Sequence, residues 1–101
     1  MTIDQPITTD DTVVVHLVGD YDMSNAADLR EALLEPADAD TVIADLTDVR
    51  FMDSTSLRAL IEVRARLGAE GRSIRLTNPN TALRRLFEVV ALDDLFGLEP
   101  L

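Results

Sequence analysis

Val13-Val14-Val15-His16-Leu17-Val18 is apolar and mostly β-branched apart from one histidine, and Gly19-Asp20 interrupts it. A run of that kind, bounded by turn residues, predicts a strand with both faces largely covered. A shorter strand is expected ahead of it, around residues 3–7. Ala26, Leu29, Ala32 and Leu33 then recur at helical spacing over residues 25–35, with Ser24 or Asp22 placed to cap the helix and Pro36 to close it. Thr41 to Leu46 predicts a second strand, which Val49 to Met52 continues toward the next helix. Leu57, Leu60, Ile61, Val63 and Leu67 mark that helix, and Gly68 or Gly71 lies near its end. Residues 73–77 predict a further strand, Asn78-Pro79 opens a third helix carrying Leu83, Leu86, Phe87 and Val90, and residues 95–98 form a short last strand.

Strands alternating with helices in this way predict an α/β fold with right-handed crossovers. The expected sheet is mixed but mostly parallel, with four to five strands, an antiparallel edge from the early strands, and three or more helices packed mainly on one face. A length of 101 residues, 47% of them hydrophobic, fits one domain over residues 1–101.

Composition narrows the chemistry. The chain has no cysteine, which removes disulfides, thiol nucleophiles and thiolate metal sites, and a single histidine leaves no zinc cluster. A formal charge of −10 opposes binding to nucleic acid or to anionic lipid. Residues 1–48 hold twelve acids and one arginine, whereas residues 49–101 hold seven acids and eight arginines. A partner meeting the first half should therefore be neutral or basic. No stretch approaches the roughly 18 apolar residues of a membrane span, and the first residues lack the pattern of a signal peptide, so a cytoplasmic location without membrane insertion is expected.

Catalytic apparatus is sparse. A serine nucleophile needs a base within hydrogen-bond reach, and only His16 could serve, from a strand with no glycine elbow around the serine. Asp20-Tyr21-Asp22 lacks the ligand spacing and turn glycine of a calcium loop, and no glycine-rich loop leads into Lys-Ser or Lys-Thr. Neither a metal site nor a cofactor site is expected, and an enzyme would require His16 or the Asp20/Asp22 pair to bind substrate. The segment Asp53-Ser54-Thr55-Ser56 places three hydroxyls after an aspartate at a helix start. On spacing alone, capping by Asp53 or Ser54 accounts for it, worth about 1 kcal/mol.

The segment from Asp45 to Leu57, Asp-Leu-Thr-Asp-Val-Arg-Phe-Met-Asp-Ser-Thr-Ser-Leu, resembles the signature of the STAS-domain anti-sigma factor antagonists, in which a strand leads into Asp-Ser-Ser/Thr-Gly-Leu. Gly19-Asp20-Tyr21-Asp22 resembles that family's Gly-Glu-Leu-Asp element, and Asn78-Pro79 followed by Arg85-Leu86-Phe87 is similar to its late Ser-Pro and Lys-Arg-Leu-Phe elements. The resemblance implies a single STAS domain that is a substrate and not an enzyme. Ser54 is then the residue phosphorylated by an anti-sigma factor serine kinase and restored by a metal-dependent serine phosphatase. Asp22 corresponds to an aspartate beside the phosphorylation site, and Asp53, Ser54, Thr55 and Ser56 complete the expected partner surface. Ser56 stands where the family has glycine. The alternative from the same resemblance is a STAS regulatory subunit of a membrane transporter complex, for lipid or anion transport, without control by phosphorylation.

Overall fold

Local signals are strongest where β-branched residues cluster, and there the chain forms its strands. The structure is a computed structural model describing residues 11–96. β1 spans Thr12–Tyr21, β2 Thr41–Met52 and β3 Ser73–Thr77, in the order β1-β2-β3 with both pairings parallel. Parallel neighbours need crossovers, supplied by α1 (Ala26–Leu34) and α2 (Ser54–Ala69). α3 (Thr81–Val89) and the four-residue α4 (Leu92–Leu95) follow β3.

The expected four to five strands are three among the described residues, and none of them is antiparallel. The stretch around residues 3–7 lies outside the described residues. Leu95 ends α4 instead of opening a last strand, and residues 97 and 98 lie outside the described residues. Gly19-Asp20 does not stop β1: Gly19 adopts φ 93°, which costs glycine nothing, and pairing continues to Tyr21.

Alternate strand positions, Val15 and Leu17, Val42, Ala44 and Leu46, Ile74 and Leu76, are buried on one side of the sheet. They join the helix stripes Leu29 and Leu33, Leu57, Leu60, Val63 and Leu67, and Leu83 and Phe87 in one core. The intervening positions Val14, His16, Ile43, Asp45 and Arg75 are half-buried or exposed, and Val18 keeps 49% of its surface in solvent. The helices thus cover one face, as expected, and among the described residues no element covers the other face of β1. A β-branched run favours the pleated backbone whether or not both sides are packed, so the run alone could not decide this.

Past Leu46 the alternation changes. Pairing passes from His16↔Asp45 to Val18↔Asp48, and from Gly19↔Val49 to Asp20↔Phe51. At each step β2 uses one residue more than β1, a bulge on β2. Its buried residues accordingly shift from every second position to every third, Leu46, Val49 and Met52. β3 ends where Thr77 pairs with Asp45, so the last part of β1 and β2 runs on beyond it. There the Asn80 amide donates to the Val49 carbonyl at 3.2 Å, while the Asn80 side-chain oxygen accepts from the Leu83 N–H at 2.8 Å. Asn80 is therefore the cap of α3, two residues later than Asn78, which instead adopts φ 57° in the turn.

Candidate functional site

At the end of the sheet Tyr21 pairs with Met52, and the Asp53 N–H donates to the Tyr21 carbonyl at 3.1 Å. Each strand then leaves the sheet, β1 through Asp22 and β2 through Asp53. This is how two segments 31 residues apart in sequence are brought to one end of the sheet.

Asp53 is the N-cap of α2, extended at φ −98° and ψ −177°. Its Oδ1 accepts from the Ser56 N–H at 2.9 Å and from the Ser56 hydroxyl at 3.1 Å. Between the two capping alternatives the structure selects Asp53. Ser54 and Thr55, the first two helical residues, are exposed at the positive end of α2, whose first turn carries no acid. Ser56 is fully buried and its hydroxyl is satisfied by Asp53. Asp53 is half-buried, Ser54 and Thr55 are exposed, and the Ser56 side chain is enclosed, so of the four residues expected on the partner surface Ser56 has no side-chain surface to offer. Ser56 also has an ordinary helical backbone, so no glycine is required for conformation at this position.

Asp22 is fixed by its own turn. Its Oδ1 accepts from the Ser24 hydroxyl at 2.5 Å and the Ser24 N–H at 2.8 Å, and these bonds hold its carboxyl below the usual carboxylate range. The Asn25 side chain accepts from the Asp22 N–H and donates to the Asp20 carbonyl. Neither Asp22 nor Ser24 caps α1, because both are spent on this turn; the N-cap is Asn25, with no side-chain cap bond.

His16 stands apart, on the open face of the sheet. Its Nε2 lies 2.7 Å from an Asp48 oxygen and its Nδ1 3.2 Å from an Asp45 oxygen. The Asp48 and Asp45 carboxylates raise the imidazole pKa above its ordinary value. Burial pushes the Asp45 carboxyl up, but hydrogen bonds from Thr47, Asn78 and His16 outweigh it and leave that pKa lowered. With both ring nitrogens engaged by carboxylates of β2, His16 ties β1 to β2. Asp20 meets Arg50 at 3.4 Å on the surface. No group of three or more acids and histidines suited to a metal ion occurs among the described residues. No helix among them is long and apolar enough to cross a membrane.

Two features at this edge were not legible in the sequence. Met23 is 77% exposed and Phe51 is 51% exposed, so apolar surface lies on either side of the acidic turn. Phe51 sits in a strand pattern that predicts burial, and only the bulge beside it turns it outward. Hydropathy carries no signal for that.

Residues 6–99 match the family described as "Mlab, STAS domain". A curated relative, the anti-sigma-B factor antagonist of Bacillus subtilis (strain 168), is 34% identical over 88 residues, covering 85% of this chain and 80% of its own. The crystal structure of an anti-sigma factor antagonist from Mycobacterium paratuberculosis is similar with a TM-score of 0.74 at 27% identity, covering 99% of this chain and 84% of that one. A sulfate transporter family protein from Wolinella succinogenes shares the fold, with a TM-score of 0.74 at 17% identity over 92% of this chain and 82% of its own.

Proposed function

The chain belongs to the STAS domain family, and from that premise we propose that it is an anti-sigma factor antagonist switched by phosphorylation of Ser54. Unphosphorylated, it binds an anti-sigma factor kinase and frees the sigma factor; phosphorylated, it lets go. A metal-dependent serine phosphatase resets it. Adenine nucleotide and magnesium belong to the kinase, and the whole chain, residues 1–101, acts as one non-catalytic STAS domain in the cytoplasm.

The observation that carries this reading is the exposed Ser54 hydroxyl at the first position of a helix capped by Asp53, on the edge that also presents Asp22. A neutral hydroxyl there packs against a partner at little desolvation cost. A phosphate adds about −1.5 to −2 charges, and burying them costs several kcal/mol unless they are paired. Basic partner residues are the expected contacts of Asp22 and Asp53.

Incubation with an anti-sigma kinase and ATP, followed by phosphopeptide mapping, tests the assignment. Label on Ser54 that disappears in Ser54→Ala supports it. Label on Thr55, or persistent label in Ser54→Ala, overturns it. Absence of any label together with co-purification of transporter components would move the chain to the transporter-subunit role.

A further inference from the structure

Arg58 lies four residues after Ser54 on α2, and both are exposed. Residues at that spacing are neighbours on a helix surface, with Cβ atoms about 5–6 Å apart. Two other arginines are engaged in ion pairs, Arg50 with Asp20 at 3.4 Å and Arg30 with Glu62 at 3.0 Å. Glu62 is the acid one turn beyond Arg58, and Arg30 occupies it. Arg58 makes no ion pair or hydrogen bond among the described residues.

We propose that Arg58 is an intramolecular clamp for a phosphate carried on Ser54. This rests on Ser54 being the phosphate acceptor. The order is the favourable one, with the anion toward the N-terminus of the helix and the cation one turn later. A guanidinium offers a planar fork of N–H donors that fits phosphate oxygens, and the first N–H groups of α2 face the same anion from the helix end. Two carboxylates, Asp22 and Asp53, lie at the same end of the sheet. Arg58 supplies a positive charge on the same face of α2 as the phosphate, so the free phosphorylated protein keeps α2 intact and holds the phosphate against the helix.

The test uses the full chain with phosphoserine inserted at position 54 during translation, which removes any dependence on a kinase. Phosphorus NMR follows the second phosphate ionisation, near pH 6 for an unperturbed group. In the unsubstituted chain the midpoint should lie lower than in Arg58→Ala and Arg58→Gln by about 0.2–0.4 pH units at low salt, the shift that an intrahelical pair of this kind produces. Arg58→Lys should recover most of the difference, and added salt should shrink it. Equal midpoints in the arginine chain and in both neutral variants at low salt would overturn the clamp. Failure of the phosphorylation reading would appear separately, as a kinase that leaves Ser54 unlabelled, and would not alter this titration.

Discussion

The Ser56 hydroxyl is buried and donates to Asp53 Oδ1 at 3.1 Å, alongside the Ser56 N–H at 2.9 Å. A single carboxylate oxygen thereby serves two donors and closes the first turn of α2. Where the related family uses glycine, this chain fills the space with a hydroxyl whose only donor is already committed. Ser54, two residues earlier, is left exposed.

Asp53→Ala should therefore remove a cap and also strand a buried hydroxyl. The two effects together are expected to cost about 1–3 kcal/mol. In a domain of this size each kcal/mol moves Tm by roughly 4–8 °C, so thermal melts should show a clear drop. Asp53→Asn, which keeps the acceptor oxygen, should melt close to the unsubstituted chain.

Ser56→Gly, the change toward the family residue, should lower stability by about 0.5–1 kcal/mol, because glycine loses more backbone entropy within a helix. Ser54 remains exposed in that variant, so the rate of its phosphorylation should be unchanged. Parallel melts and kinase assays check both halves.

Asp22→Ala should weaken binding to the kinase while leaving the melting temperature nearly unchanged, since Asp22 bonds only within its own surface turn. A variant that melts much earlier but binds normally would make Asp22 a structural residue.

His16 predicts a pH dependence with a definite sign. Its folded-state pKa is raised by Asp48 and Asp45, so its contribution to stability is fully present below about pH 6.5, the ordinary histidine value, and is lost as pH rises through the folded value. The lowered pKa of Asp45 acts at the acid end, where its contribution is present above the ordinary carboxylate value and lost as pH falls through the folded one. Asp48→Asn should bring the His16 titration midpoint down, as read from its imidazole proton shifts, and should reduce the loss of stability between neutral and mildly alkaline pH.

Phosphorylation of Ser54 should reduce affinity for the kinase, measured by calorimetry with ADP present, by at least about a hundredfold, which corresponds to roughly 3 kcal/mol. Ser54→Ala should bind constitutively. Ser54→Glu should bind poorly but better than the phosphorylated protein, because one carboxylate carries less charge than a phosphate. Equal affinities of the phosphorylated and unphosphorylated forms would remove the switch.

Much of this protein is written in short-range pattern. The β-branched runs at Val13 to Val18 and Thr41 to Leu46, the apolar period of Leu57, Leu60, Val63 and Leu67, and the aspartate ahead of three hydroxyls each predict an element from a few neighbouring residues. Backbone preference and capping act over one or two turns, so these features can be read from local sequence, although the elements become stable only when packed. Family resemblance adds the expectation that Ser54 and Asp22 belong to one site, and the pairing of Tyr21 with Met52 brings the segments that carry them to the same end of the sheet.

Register, bulges and the side on which helices gather were decided only in the folded chain. β1 continues through Gly19 because β2 is there to pair with it, and β2 exposes Phe51 because it carries two residues more than its neighbour. Ser56 is buried, and Ser54 two residues before it is exposed, because α2 turns the face carrying Ser56, Leu57 and Leu60 into the core. His16 finds Asp45 and Asp48 across a strand pairing that spans about thirty residues of sequence. Each of these depends on contacts between distant segments, whose energies do not appear until the sheet has assembled, and so no local pattern could carry them.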